Sequence, residues 1–210
     1  MKKSVLLMAA ATAIALSSCS SEDTMDIAKS SNITFRSTVG LNSRVAEVTT
    51  DNLNNIWVSA WAGDDVVFTG EEFTKQSGGQ EFHSVKGPWF WEKNKNYTFM
   101  AFATGKASKG NLDPQIAKDN ITLVEYTPAE NPANHLDLLT AHGTGNQDHD
   151  GTTGAALTFD HILSQIQIKV MNTNPNVKYI IKGVRITNVQ GIGTYTFTPA
   201  NDVNKHVWGG

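Results

Sequence analysis

The only cysteine in the 210-residue chain, Cys19, lies directly behind an apolar run, and its thiol could form a disulfide, bind a metal or be modified covalently. A lone cysteine cannot form an internal disulfide. Without a second thiol or a nearby histidine, it is also a poor metal ligand. The position therefore favours a different use of the thiol, namely covalent modification.

The other concentration of reactive side chains is the segment HLDLLTAHGTGNQDHD, residues 135–150. Its histidines, His135, His142 and His149, are seven residues apart, in a region whose Gly and Asn content indicates loop. There is no HExxH motif, and QDHDGTTG does not fit the calcium-loop pattern. We therefore expect a solvated loop and no metal or cofactor, with an ordered strand or edge in its first half, Leu136 to Ala141.

Nucleophilic catalysis has no sharp motif behind it. GxSxG is absent, and Ser164 lies near Asp160 and His161 in sequence only, whereas triads are recognised by geometry. The paired carboxylates at 64–65 and 71–72 stand in turn-like settings. The sequence predicts no catalytic residue and a protein that is not an enzyme.

The N-terminus has the layout of a secretory signal: Lys2 and Lys3, an apolar run from residue 5 to 16, then small residues. The run is shorter than the roughly 20 residues that a spanning helix needs. Its end, Leu16-Ser17-Ser18-Cys19, resembles the bacterial lipobox. That resemblance implies cleavage after residue 18 and acylation of Cys19, which would anchor the protein to a membrane. The alternative is a plain signal peptide with an incidental cysteine.

Residues 19–31 are polar and acidic without apolar periodicity, which predicts a flexible tether. Glu22, Asp23 and Asp26 resemble the acidic export tag of some surface lipoproteins, which favours the outer face of the outer membrane. Loss of residues 1–18 would leave 15 basic against 20 acidic side chains. This balance, with no basic cluster, argues against a nucleic-acid partner.

From residue 31 onward the residue pattern is typical of a β protein, because β-branched and aromatic runs alternate with Gly, Asn, Asp and Pro clusters. Strands are predicted at residues 33–39, 55–61, 65–69, 80–85, 97–103, 121–126, 166–170, 178–189 and 194–198. Two of them, 55–61 and 97–103, are apolar on both faces. Short helical turns are predicted at 113–118 and 160–164. Eight or nine strands with little helix predict an all-β, antiparallel β-sandwich.

The segment Gly87-Pro88-Trp89-Phe90-Trp91 concentrates aromatic side chains. Exposed tryptophans can stack on sugar rings, so Trp89 and Trp91 are candidate glycan contacts. The competing interpretation, which we favour, is that they fill the core, since their shared parity points both inward.

Several stretches together resemble the fimbrillin family of Bacteroidota fimbrial subunits. They are ITFRSTVGLNSRV, NIWVSAW, PWFWEKNKNYTFMAFA, DLLTAH, LTFDHILSQIQIKV and KGVRITNVQGIGTYTF, and they cover residues 31 to about 200. The resemblance is to the family's N-terminal domain, a transthyretin-like Greek-key β-sandwich, here residues 32–210. The family's second domain would begin where the chain stops, at HVWGG, which leaves a truncated fragment or a single-domain relative as open alternatives.

The resemblance implies a fimbrial structural subunit or fimbria-associated adhesin, exported as a lipoprotein and assembled by donor-strand exchange with other fimbrial subunits. A protease would cut behind Arg44, remove the first strand, and let a neighbour's segment fill the groove. Host or bacterial surface ligands would be further partners. The alternative is a lipid-anchored cell-surface binding protein, for example for glycans.

Overall fold

The computed structural model describes residues 31–40, 48–164, 166, 168–201, 203 and 205–210. Within them the protein is all-β, with one four-residue helix, α1 (Gln147–Asp150), and a 3₁₀ turn at Pro132–Asn134. The strands are β1 (Phe35–Val39), β2 (Asn55–Ala62), β3 (Asp65–Lys75), β4 (Glu81–Ser84), β5 (Asn96–Ala103), β6 (Gln115–Ile116), β7 (Ile121–Tyr126), β8 (Leu139–Asn146), β9 (Ala155–His161), β10 (Gly193–Phe197) and β11 (His206–Gly209).

Seven strands form a closed barrel in the order β1-β4-β3-β2-β5-β8-β9, and a second sheet has the order β11-β10-β7-β6. The expectation of an antiparallel sandwich is therefore correct for the all-β class and wrong for the architecture. The difference arises at β1, which pairs with β4 on one side and, in parallel, with β9 on the other. A strand with two partners leaves no edge there, so the sheet closes on itself.

The second sheet packs against the outer wall of the barrel, which explains the strands that are apolar on both faces. Along β2, Ile56 and Val58 face the barrel interior, whereas Trp57 and Trp61 belong to the second core with Tyr195 and its neighbours. β5 divides in the same way. Because successive side chains of a strand point to opposite faces, burial on both sides requires apolar residues throughout.

Two predicted strands do not form among the residues that the structure describes. The described positions of 166–170 and all of 178–189 lie outside any strand, and Ile168, Val170 and Ile180 are exposed. The alternation there is a property of the sequence alone, and a strand forms only where a neighbour accepts its hydrogen bonds.

Both predicted helical turns are wrong. Gln115 and Ile116 form β6, paired with Thr122 and Ile121, and Asp160 and His161 end β9. In each case cross-strand pairing prevails over weak local capping signals. The loop predicted around His149 also contains more structure than expected, because α1 connects β8 to β9 there, with Asn146 as its N-cap.

Candidate functional site

The closing strand of the barrel, β1, is the first candidate site. It pairs with β9 in parallel at five positions, from Phe35 with Ala155 to Val39 with Phe159, but with β4 at only two. Flanking backbone bonds extend the pairing with β9, since Ala155 N–H donates to Thr34 O at 2.9 Å and Gly40 N–H donates to Phe159 O at 2.8 Å. Parallel pairing is slightly less stable per residue than antiparallel pairing. The barrel is therefore closed by one short strand, β1, which pairs with β4 over only two residues.

The side chain that ties β1 to the barrel interior is Phe35. It is fully buried and makes edge-to-face contacts with Phe73 and Phe99, with ring centroids 4.8 and 4.9 Å apart. Arg36 and Thr38 are exposed on the opposite face. Removal of β1 would thus leave an apolar slot between β4 and β9, with free backbone groups on both sides.

Val48, the first described residue after Gly40, is buried in the barrel core. Its N–H donates to Asp137 Oδ2 at 3.2 Å, while Asp137 Oδ1 lies 2.8 Å from His161 Nδ1. The His161 side chain is only 2% exposed. This Asp–His pair therefore anchors Val48 to the barrel, independently of β1.

The two candidate glycan contacts lie in the interior wall. Trp91 is 2% exposed and packs edge-to-face on Tyr97 with ring centroids 4.9 Å apart. Trp89 is half-buried against Phe68, with ring centroids 5.2 Å apart. Trp91 has no surface on which a sugar could stack, so a glycan contact at this pair is not supported. The aromatic ring exposed here is that of Phe90.

A chain of polar side chains joins the barrel to the second sheet. Thr140 Oγ1 lies 3.0 Å from the Tyr195 hydroxyl, which lies 2.7 Å from His206 Nδ1. His206 Nε2 is 3.3 Å from Asp160 Oδ2, and Lys205 Nζ donates to the same oxygen at 3.0 Å. When neutral His206 carries its proton on Nε2, each donor from Thr140 to His206 has an acceptor.

The burial of these hydrogen-bonded side chains favours a structural role for them over a catalytic one. Burial raises the pKa of Tyr195, which has no exposed surface and stays protonated. Burial also lowers the pKa of His206, against the opposing influence of Asp160. Because the Tyr195 phenol is buried and cannot contact a substrate, we interpret these hydrogen bonds as a clamp, meaning a structural link between the barrel and the second sheet.

The residues considered for metal binding or catalysis are not brought together. His135 bonds to Ala129 O, His149 pairs with Asp150 on α1, and His142 lies on β8. In the described part of the chain, no group of three or more histidine, cysteine or acidic side chains is arranged to hold a metal ion. Asp160 and His161 have different partners, Lys205 and Asp137, so no triad with Ser164 is assembled.

Cys19 and Arg44, the predicted lipidation and processing residues, lie outside the described residues, as do residues 19–30 of the predicted tether. No helix within the described ranges is long and apolar enough to cross a membrane.

Comparison with known protein families identifies the family of this chain. Residues 43–206 match the family model described as fimbrillin-like. The chain belongs to the fimbrillin-like family. Comparisons with curated proteins and with solved structures found no match. The resemblance drawn from the sequence is thus confirmed over most of its length, and a fimbrial subunit kind of role follows from it.

Two features of this fimbrillin-like protein escape sequence reasoning. The polar chain through Tyr195 connects residues 55 and 11 positions apart. The Asp137–His161 pair is 24 residues apart. Neither has a local signature. The only available signal was a polar residue beside apolar ones on a strand, such as Thr140 next to Leu139.

Proposed function

We propose that this protein is a fimbrial structural subunit or fimbria-associated adhesin, exported as a lipoprotein through Cys19 and assembled by exchange of β1 after cleavage at Arg44. The fimbrillin-like match over residues 43–206 supports the fimbrial part. The lipobox-like sequence around Cys19 is the support for lipid anchoring at the outer membrane. Partners would be other subunits of the fimbrium.

The observation that carries the assembly step is the position of β1. This strand is short, meets β4 at only two positions, and inserts Phe35 between Phe73 and Phe99. Arg44 follows four residues after Gly40 in sequence, and Val48, four residues further on, is tied to the barrel through Asp137. A cut at Arg44 would leave β1 attached only by hydrogen bonds and packing. An incoming strand could then satisfy the same backbone groups.

The test follows the uptake of a labelled peptide. An unlipidated chain (Cys19→Ser) that also carries Arg185→Gln is cut with an arginine-specific protease, then mixed with a fluorescent peptide of sequence 31–40. We expect the cut protein to bind the peptide at a sub-denaturing urea concentration, because β1 dissociates and leaves its slot open. The same peptide with Phe35→Ala should bind at least tenfold more weakly, since it loses the aromatic contacts.

The matched control carries Arg44→Gln, which keeps β1 covalently attached and should exclude the peptide. The proposal fails if the cut protein excludes the peptide as well as this control does. It also fails if fibres taken from cells retain an intact Arg44–Val45 bond. The glycan-binding alternative gains nothing from the structure, because Trp91 is buried.

A further inference from the structure

Residues 168–192 form an exposed arm that belongs to no strand. Large apolar side chains along it face solvent: Met171 is 83%, Ile180 86% and Val184 59% exposed. The hydrogen bonds made by Asn172, Asn174 and Val177 stay within the arm. Large apolar side chains that are exposed along a whole segment typically mark a site of interaction with another protein, a membrane or a ligand.

The arm is also basic. No Asp or Glu occurs between His161 and Asn201, whereas four cations lie within the arm: Lys169, Lys178, Lys182 and Arg185. The whole chain, by contrast, carries a formal charge of −3. When the arm is extended, Lys178, Ile180, Lys182, Val184 and Ile186 share one face, because side chains alternate along a strand. That face combines two positive charges with three apolar side chains.

An acidic groove with an apolar lining lies beside β6 and β7. It encloses about 510 Å³, which is within the range of ligand sites. Leu112 and Leu136, both partly exposed, supply apolar surface with the buried Leu123 behind them, and Asp113 and Glu125 supply two exposed carboxylates, against one cation, Lys109. β6 is the terminal strand of its sheet. An extended segment can add to such an edge through backbone hydrogen bonds.

We propose that the basic, apolar face of the arm in one copy of this protein docks into the acidic groove beside β6 and β7 of a second copy. Lys178 and Lys182 meet Asp113 and Glu125, and Ile180 between the two lysines enters the leucine-lined space. The contact joins two different surfaces, so a bound pair still presents one free arm and one free groove, to which further copies can add. It requires no exchange of β1 and therefore stands apart from the assembly step proposed above.

The choice of a second copy rests on charge complementarity. Complementary potentials steer association and fix its register, and they weaken as salt screens them. No cation among the described residues forms an ion pair with Asp113 or Glu125, and no described carboxylate pairs with Lys178 or Lys182. Both sets of charges are thus free to pair between molecules.

The experiment uses reciprocal charge reversal in the uncut, unlipidated chain (Cys19→Ser, Arg44→Gln), with molar mass measured by light scattering at about 100 µM protein and low salt. The parent chain should form oligomers. The arm variant Lys178→Glu/Lys182→Glu and the groove variant Asp113→Lys/Glu125→Lys should each dissociate at least tenfold more readily. An equimolar mixture should regain oligomers, since every arm then meets a groove of opposite charge.

Controls separate this interface from general charge effects. Arg185→Glu reverses a charge on the opposite face of the arm and should change assembly less than Lys182→Glu. Lys95→Glu/Lys106→Glu reverses two exposed charges elsewhere and should leave the oligomers intact. Circular dichroism of each variant should show the same β signal as the parent chain, which separates loss of assembly from loss of fold.

Several outcomes would overturn the proposal. A parent chain that remains monomeric would mean that the arm does not bind a second copy. Variants that assemble like the parent, or a mixture that does not recover, would exclude this pairing of surfaces. If the parent and the groove variant bind anionic phosphatidylglycerol vesicles equally and neither oligomerises, the arm is a membrane contact. Because Arg44 is blocked throughout, none of these results bears on β1 exchange.

Discussion

The substitution Phe35→Ala tests the packing of β1 directly. Phe35 is fully buried and contacts Phe73 and Phe99 edge to face. Truncation of a buried phenylalanine costs about 3–5 kcal/mol, through lost apolar burial and the cavity left behind. Because two aromatic contacts, each worth about 0.5–1.5 kcal/mol, disappear together, we expect a value in the upper half of that range.

The assay is equilibrium urea unfolding of the uncut chain, followed by far-UV circular dichroism and tryptophan fluorescence. With a slope of about 2 kcal/mol per molar urea, a loss of about 4 kcal/mol lowers the midpoint by about 2 M. Thr38→Ala is the matched control, because Thr38 lies on the same strand with its side chain exposed and its hydroxyl 3.2 Å from that of Thr158. It should change the unfolding free energy by no more than about 0.5 kcal/mol.

A loss below about 1 kcal/mol for Phe35→Ala would contradict this prediction, since a side chain truncated at that cost is not packed in a closed core. Equal effects of Phe35→Ala and Thr38→Ala would show that β1 contributes through its backbone alone. Either result would mean that the slot between β4 and β9 does not bind a donor strand through the Phe35 side chain.

Two further predictions concern the clamp and one loop. Burial lowers the pKa of His206 in the folded protein, so below about pH 6.5 the unfolded chain binds the proton first and stability decreases as pH falls from 7 to 5.5. Urea midpoints across this range should therefore fall less steeply for His206→Gln, and equal slopes would contradict the assignment. Gly105→Ala places a Cβ against the Val48 methyl and should cost about 1–3 kcal/mol more than Gly110→Ala, which shares a positive φ but has open space around it. Thermal unfolding of the two variants measures that difference, and equal melting temperatures would exclude the clash.

The sequence was sufficient for the elements whose evidence is local. Residues 55–61 and 97–103 are apolar on both faces, and the structure buries both faces, because a strand between two cores has no choice of residue type. The Gly-Gly pair at 78–79 indicates a turn by residue type alone, and the structure has a turn there, with Gly79 N–H donating to Gln76 O and Gly78 at a positive φ.

Sequence reasoning failed where pairing partners decide the outcome. The alternation of Ile166, Ile168 and Val170 is as regular as that of β1, yet these residues are exposed and outside any strand. Conversely, β6 is too short for any periodicity and exists because Gln115 and Ile116 face β7. Alternation states which face a strand would bury, and it does not state whether a neighbouring strand is there to pair with it.

The all-β class, the family, the residue types of both cores and the inward-facing Trp91 can all be inferred from residue types and their alternation. Closure of the sheet through β1, and the link that Tyr195 makes between the two layers through Thr140 and His206, are visible only in the folded protein. The difference lies in the sequence separation of the interacting groups. Side-chain periodicity is fixed by the chain within a few residues, whereas barrel closure and a buried polar chain depend on groups that meet only after the chain has folded.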